Sequence, residues 1–121
     1  MPDTTLHPDD MLPLTPAVFH ILLALADGEK HGYSIMREVS QITNGKIQMG
    51  PGTLYGTLKR MLEARLIEET HERPDPAMDD ERRRYYRLTP FGERVAQAEA
   101  NRLTLLLNVA HSKRLMGGTT A

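Results

Sequence analysis

Three prolines mark the starts of predicted helices in this chain of 121 residues. Pro16, Pro51 and Pro90 each lead a segment in which apolar residues recur at helical spacing. Proline suits the first turn of a helix because its φ is already helical and its missing N–H would have no partner there. Thr15 and Thr89 precede two of these prolines, and threonine side chains cap helix N-termini. These local signals fix where three helices begin.

Periodicity along the chain predicts four helices and a pair of strands. Between Leu66 and Leu88 two strand-like runs flank a long tip with two prolines and three aspartates. We therefore predict a fold that is mainly α with a small β-hairpin (α+β). Helical spacing covers 16–27, part of 29–45, 51–65 and 90–116.

The order of three helices, a hairpin and a further helix is typical of a winged helix-turn-helix domain. In such domains the third helix enters the major groove of DNA and the hairpin lies over the backbone. Other small α+β domains share this order, so periodicity alone does not establish it. We predict a flexible N-terminal arm at 1–13, the winged domain at 14–89, a C-terminal dimerisation helix at 90–116 and a flexible tail at 117–121.

Composition excludes several classes of protein. The absence of cysteine excludes disulfides and thiolate chemistry and favours a cytoplasmic location. The longest purely apolar run, Ile21 to Ala26, is too short to span a membrane, and the N-terminus has no signal-peptide pattern. The net charge is -1, yet the run from Arg82 to Arg87 carries four positive charges. That run suits a DNA-reading strand and a solvated strand equally.

Catalytic and metal-binding patterns are not found in the sequence. The five histidines form no pair with metal-ligand spacing. The sequence also shows no Ser-His-Asp arrangement and no pair of carboxylates that would indicate catalysis. Gly50, Gly52 and Gly56 lack the lysine-containing spacing of a phosphate-binding loop. We predict no enzyme activity, no metal and no cofactor.

Three blocks of residues resemble the signature blocks of one protein family. They are "HGYSIMREV", "GPGTLYGTLKRMLEARLI" and "ERRRYYRLTPFGERV", and the resemblance covers roughly residues 14 to 95. In these blocks the chain resembles the PadR family of bacterial winged-helix transcriptional regulators. The resemblance implies a homodimer, usually a repressor, that binds a near-palindromic double-stranded DNA operator. It also allows for release by a small-molecule effector, aromatic or other.

The candidate DNA contacts lie on the third helix, the second helix and the hairpin. On the third helix the apolar face is centred between Leu54 and Leu58, and the opposite direction passes through Gly56. A glycine there would let the helix backbone approach a groove closely. The wing arginines suit phosphates or the minor groove, and core packing remains an alternative for Tyr33. The predicted DNA-binding residues are Tyr33, Gly52, Thr53, Tyr55, Gly56, Lys59, Arg60, Arg82, Arg83 and Arg84.

The last helix is apolar over too wide an arc to be covered by one small domain. The same helix of a second copy is the natural cover. The predicted dimer interface consists of Phe91, Val95, Ala98, Arg102, Leu105, Leu106 and Val109.

Two departures from the family pattern leave an alternative open. Gly56 stands where the family commonly has proline, and the acidic residues Asp79, Asp80 and Glu81 come directly before the wing arginines. These carboxylates would partly neutralise the wing. A winged-helix protein that binds another protein, without specific DNA binding, is therefore the alternative hypothesis.

Overall fold

A computed structural model describes residues 7–71, 73–74 and 82–116, with the backbone course alone for 73–74 and 82–83. The structure confirms the predicted order of three helices, a hairpin and a further helix along the chain. None of the helices in these ranges combines the length and apolar character needed to cross a membrane. The four helices are α1 (Pro16–Leu25), α2 (Gly32–Ile42), α3 (Pro51–Glu63) and α4 (Pro90–Ser112).

The helix starts follow the local signals. Thr15 and Thr89 cap α1 and α4 by accepting hydrogen bonds from Val18 and Gly92, and proline occupies the first turn of α1, α3 and α4. The predicted end of the last helix at Met116 is wrong, because α4 stops at Ser112. Arg114 adopts a left-handed conformation, and the Leu115 N–H donates to the carbonyl of Ala110.

The described strands form a three-stranded sheet, one strand more than the predicted pair, and a separate two-stranded sheet. The strands are β1 (Lys30–His31), β2 (Ile67–Glu69), β3 (Arg73–Pro74), β4 (Arg82–Arg83) and β5 (Tyr85–Leu88). β5 lies between β1 and β2, antiparallel to both, and β3 pairs with β4 farther along the hairpin. A two-residue strand has no visible alternation, which is why the sequence did not reveal β1.

The core forms where α1, α2, α3 and α4 meet the sheet. Ile67 on β2 is buried, and so is Tyr86 on β5. Ile42, at the end of α2, is half exposed. The fully buried aliphatic side chains include Ile21, Leu22, Ile35, Leu54, Leu58 and Val95.

Gly92 joins α4 to the turn between α3 and β2. A Cβ atom at this position would overlap the Leu66 carbonyl oxygen and come within 2.8 Å of its carbon. The Thr89 hydroxyl donates to the Arg65 carbonyl at 2.6 Å and accepts from the Gly92 N–H at 2.9 Å. The backbone of α4 therefore rests directly on this turn, and no side chain fits between them.

The prediction of a flexible arm at 1–13 is wrong for residues 7–13. Residues 1–6 of that arm and residues 117–121 of the predicted tail lie outside the described residues. Pro8–Met11 form a short 3-10 helix that contacts α4. Leu12 and Leu14 pack against the core beside it. The carboxylate of Glu99, buried on α4, accepts the Leu14 N–H at 3.2 Å. This tertiary contact orders a segment that has no helical period of its own.

Glu99 should make stability depend on pH. The Arg102 guanidinium donates to both carboxylate oxygens at 2.6 and 3.0 Å. These hydrogen bonds, aided by the one from Leu14, hold the pKa of Glu99 below its ordinary value of 4.5. A lowered folded-state pKa adds stability that is fully present above 4.5 and is lost as pH falls through the folded-state value.

We expect Glu99→Gln to lower the free energy of unfolding by about 2 kcal/mol at pH 7, because hydrogen bonds to a charged group are lost. Urea unfolding from pH 7 to pH 3 measures this. The difference in unfolding free energy between variant and parent should narrow below pH 4.5, because the parent then loses the stabilisation that its charged carboxylate provides. A gap of constant size over this range would show that the charge of Glu99 contributes nothing.

Candidate nucleic-acid interface

One face of α3 is buried and the opposite face is exposed, as the apolar period predicts. Leu54, Thr57, Leu58 and Met61 face the core. The residues predicted to contact DNA from this helix are exposed, apart from a half-buried Gly56: Gly52, Thr53, Tyr55, Lys59 and Arg60.

Gly56 lies beside the guanidinium of Arg60. A Cβ at Gly56 would be 3.8 Å from Arg60 Nη1, an ordinary van der Waals distance. Arg60 Nη2 donates to Thr57 Oγ1 at 3.3 Å, and Thr57 in turn donates to the Thr53 carbonyl at 2.8 Å. The space left by the missing side chain therefore adjoins a cation of the exposed face. A large side chain at 56 would displace that cation.

Tyr55 connects α3 to the start of α2. A Cβ on Gly32 would overlap the Tyr55 hydroxyl and lie 2.8 Å from its ring carbon Cζ. Gly32 is therefore needed for the ring to lie across the α2 backbone. The sequence placed Gly32 inside a family block but gave no reason for it, because the partner is 23 positions away along the chain.

All four tyrosines of the chain gather around this contact. The His31 ring stacks with Tyr33 at 6.5 Å between centroids and meets Tyr85 edge to face at 5.3 Å. Burial raises the pKa of Tyr86, with smaller contributions from Glu69 and from Tyr55. Tyr85 and Tyr86 are buried, whereas Tyr33 and Tyr55 are half exposed. The rings thus tie the wing to α2 and α3 and leave two hydroxyl-bearing rings at the surface.

The described wing arginines face carboxylates of β2. Arg84 Nε lies 3.3 Å from Glu69, and Arg87 Nε lies 2.7 Å from Glu68. The predicted partners Asp79, Asp80 and Glu81 lie outside the described residues, as do the side chains of Arg82 and Arg83. Exposed pairs of this kind are worth about 0–1 kcal/mol, so Arg84 stays available to a phosphate.

Positive charge is concentrated in the helix-turn-helix unit. Residues 32–65 carry five cations and two acids, a net charge of +3 in a chain of net charge -1. Glu38, one of the two acids, lies 3.4 Å from Lys30 of β1. Within the described residues no carboxylate lies within ion-pair distance of the five cations, which are Arg37, Lys46, Lys59, Arg60 and Arg65.

The second half of α4 exposes large apolar side chains. Leu105, Leu106 and Val109 are about half to two-thirds exposed, in agreement with the predicted apolar surface. Val95, however, is fully buried in the core of its own chain, so its assignment to a dimer interface is wrong. Phe91 also packs against that core, and Arg102 is engaged by Glu99.

A compact helical trio, an exposed cationic third helix and a β-hairpin define a winged helix-turn-helix protein. A family model described as the transcriptional regulator PadR-like family matches residues 21–98. The chain therefore belongs to the PadR-like family of DNA-binding transcriptional regulators, which are not enzymes. Among the described residues no group of three or more His, Asp or Glu side chains is placed to hold a metal ion.

Other known proteins resemble this chain in sequence or in fold. The chain is 35% identical over 86 residues to a 37.1 kDa protein of transposon TN4556 from Streptomyces fradiae. The matched residues make up 71% of this chain but only 22% of that protein. A PadR-like regulator from Bacillus cereus superposes with a TM-score of 0.68 at 21% identity, covering 83% of this chain and 91% of that one. A PadR family regulator from Clostridium difficile superposes with a TM-score of 0.66 at 22% identity, covering 81% of this chain and 97% of that one. These two likenesses show the shared fold.

Proposed function

We propose that the protein is a dimeric repressor that binds a near-palindromic operator through α3. The observation that supports this most is the set of five cations of the helix-turn-helix unit, none of which has a carboxylate at ion-pair distance among the residues that the structure describes. Cations that are not paired with a carboxylate keep their full charge for DNA phosphates, whose neutralisation supplies most non-specific affinity.

The exposed face of α3 provides two kinds of contact. Gly52 and Thr53 in its first turn can direct backbone N–H groups at a phosphate. Lys59 and Arg60, about two turns farther along, have side chains long enough to reach the phosphates beside the major groove as well as base edges in it. Tyr55 and the wing arginines Arg82, Arg83 and Arg84 would then contact the backbone on either side.

The exposed leucines of α4 support pairing with a second copy. Leu105, Leu106 and Val109, with Ala98 at the near end, form an apolar surface that one domain of this size leaves uncovered. A two-fold axis through this surface would present two α3 helices to DNA. Half-sites of a near-palindrome require them to be about 34 Å apart. An effector, aromatic or other, would act by changing this separation, and the protein would act in the cytoplasm, where the operator is.

The operator itself provides the test of the proposed function. The purified protein should protect an inverted repeat in the DNA upstream of its own gene, with half-site centres about 10 base pairs apart or a multiple of that. Nuclease footprinting with an unrelated duplex as control measures this. Protection of a single half-site would contradict the dimeric arrangement. Binding to neither duplex, even at low ionic strength, would favour the protein-binding alternative.

We expect Leu106→Glu to convert the dimer to a monomer, because a carboxylate in the middle of an apolar interface would lose its hydration. Leu106 is 53% exposed in the single chain, so the variant should fold. Analytical ultracentrifugation gives the mass. Ile42→Glu is the matched control, since Ile42 is 46% exposed on α2. A Leu106→Glu protein with the mass and DNA affinity of the parent would refute this interface.

A further inference from the structure

Arg37 and Tyr33 form a pair on the exposed side of α2. The Arg37 guanidinium carbon lies 5.3 Å from the centroid of the Tyr33 ring, within the range of a cation–π contact. The two residues are four positions apart and therefore lie on the same face of the helix. Arg37 is exposed, and within the described residues it has no carboxylate at ion-pair distance.

This pair adjoins the face of α3 that is proposed to meet DNA. Tyr33 directly follows Gly32, and the Tyr55 hydroxyl rests on Gly32. Tyr33 and Tyr55 are exposed to nearly the same extent, 43% and 46%. Tyr33 and Tyr55 therefore both reach the surface near Gly32, and the segment from 32 to 37 contains no acidic side chain.

The partner of an arginine determines whether its charge is available to DNA. A carboxylate at ion-pair distance, such as Glu68 beside Arg87 in the wing, competes with phosphate for the guanidinium, although an exposed pair of this kind competes only weakly. An aromatic ring orients the guanidinium but carries no net charge, so the full positive charge remains. A planar guanidinium held in this way can donate two parallel hydrogen bonds to one phosphate.

We infer that Arg37 binds a phosphate of the DNA backbone and that the Tyr33 ring positions it. The inference rests on the proposed function and adds a phosphate contact on α2 that neither the family blocks nor the helical period assigns. Tyr33 acts here through its ring face, not through its hydroxyl. The competing explanation is a pair that only stabilises α2, as many pairs four residues apart do.

A salt series on duplex DNA separates the two explanations. One lost phosphate contact lowers the slope of log affinity against log salt by about 0.9, which corresponds to roughly an 8-fold loss of affinity at 0.1 M salt. We expect this loss for Arg37→Ala, with an unchanged melting temperature. Arg37→Lys keeps the charge and should keep the slope while binding less tightly. Arg94→Ala is the matched control, because the Arg94 guanidinium carbon lies 5.9 Å from the centroid of the Phe91 ring on α4, which is not part of the proposed DNA-binding face.

Two tyrosine variants test the positioning role. Tyr33→Phe keeps the ring and should bind as the parent does. Tyr33→Leu removes the ring and should lose about 2- to 3-fold in affinity, and it should add no further loss to Arg37→Ala because both act through one contact. A loss in Tyr33→Phe as large as in Tyr33→Leu would overturn the positioning role.

The outcomes also separate this inference from the function on which it rests. If the parent shows no salt-dependent DNA binding, the proposed function fails, and this inference fails with it. If the parent binds but Arg37→Ala has the parent's slope, or Arg94→Ala loses as much, the phosphate contact alone is overturned.

Discussion

Gly92→Ala should lower the free energy of unfolding by about 3 kcal/mol, the upper end of what overpacking usually costs. The new Cβ would overlap the Leu66 carbonyl oxygen, and backbone atoms cannot rotate away as the end of a side chain can. Relief requires α4 to move off the turn, which would also strain the hydrogen bond from Thr89 to the Arg65 carbonyl. Thermal and urea unfolding followed by circular dichroism measure the change.

Gly52→Ala is the control for this experiment. A Cβ there meets no heavy atom within 4 Å, and alanine favours a helix over glycine by about 1 kcal/mol. The control should therefore melt at or above the parent's temperature. A Gly92→Ala protein as stable as this control would show that α4 does not rest on the Leu66 carbonyl as described.

Replacing Lys59 and Arg60 together by alanine should weaken DNA binding by about 60-fold at 0.1 M salt, if each makes one phosphate-like contact. Both side chains are exposed, so the melting temperature and the oligomeric mass should stay those of the parent. Lys113→Ala with Arg114→Ala is the matched control, because it removes the same two residue types from an exposed site at the end of α4. Equal affinities for the two double variants would exclude α3 as the contact.

Much of this architecture could be predicted because its signals are local. A proline in the first turn and a capping threonine act within four residues, so the starts of α1 and α4 needed no tertiary information. The buried face of α3 followed from apolar spacing alone. Tyr85 illustrates the limit, since strand alternation predicts that it faces away from Tyr86, yet both rings are buried because His31 of β1 covers one of them.

What the sequence did not reveal depends on contacts between distant residues. The segment before α1 is ordered by Glu99, which is 85 positions from Leu14. Val95 has the same apolar character as Val109, and only the packing of α4 shows that one is core and the other surface. Arg37 in the candidate site is a single arginine in an amphipathic helix, and nothing marks it until the ring of Tyr33 is found beneath it.

The salt dependence of duplex DNA binding tests the central claim most directly. The parent's affinity should fall linearly on a log–log plot as salt rises, and the slope for Lys59→Ala with Arg60→Ala should be smaller by about 1.8. Such a difference would locate two counterion-releasing contacts on α3. A parent that binds no DNA at low salt, or a double variant with the parent's slope, would contradict the account of α3 as the DNA-binding helix.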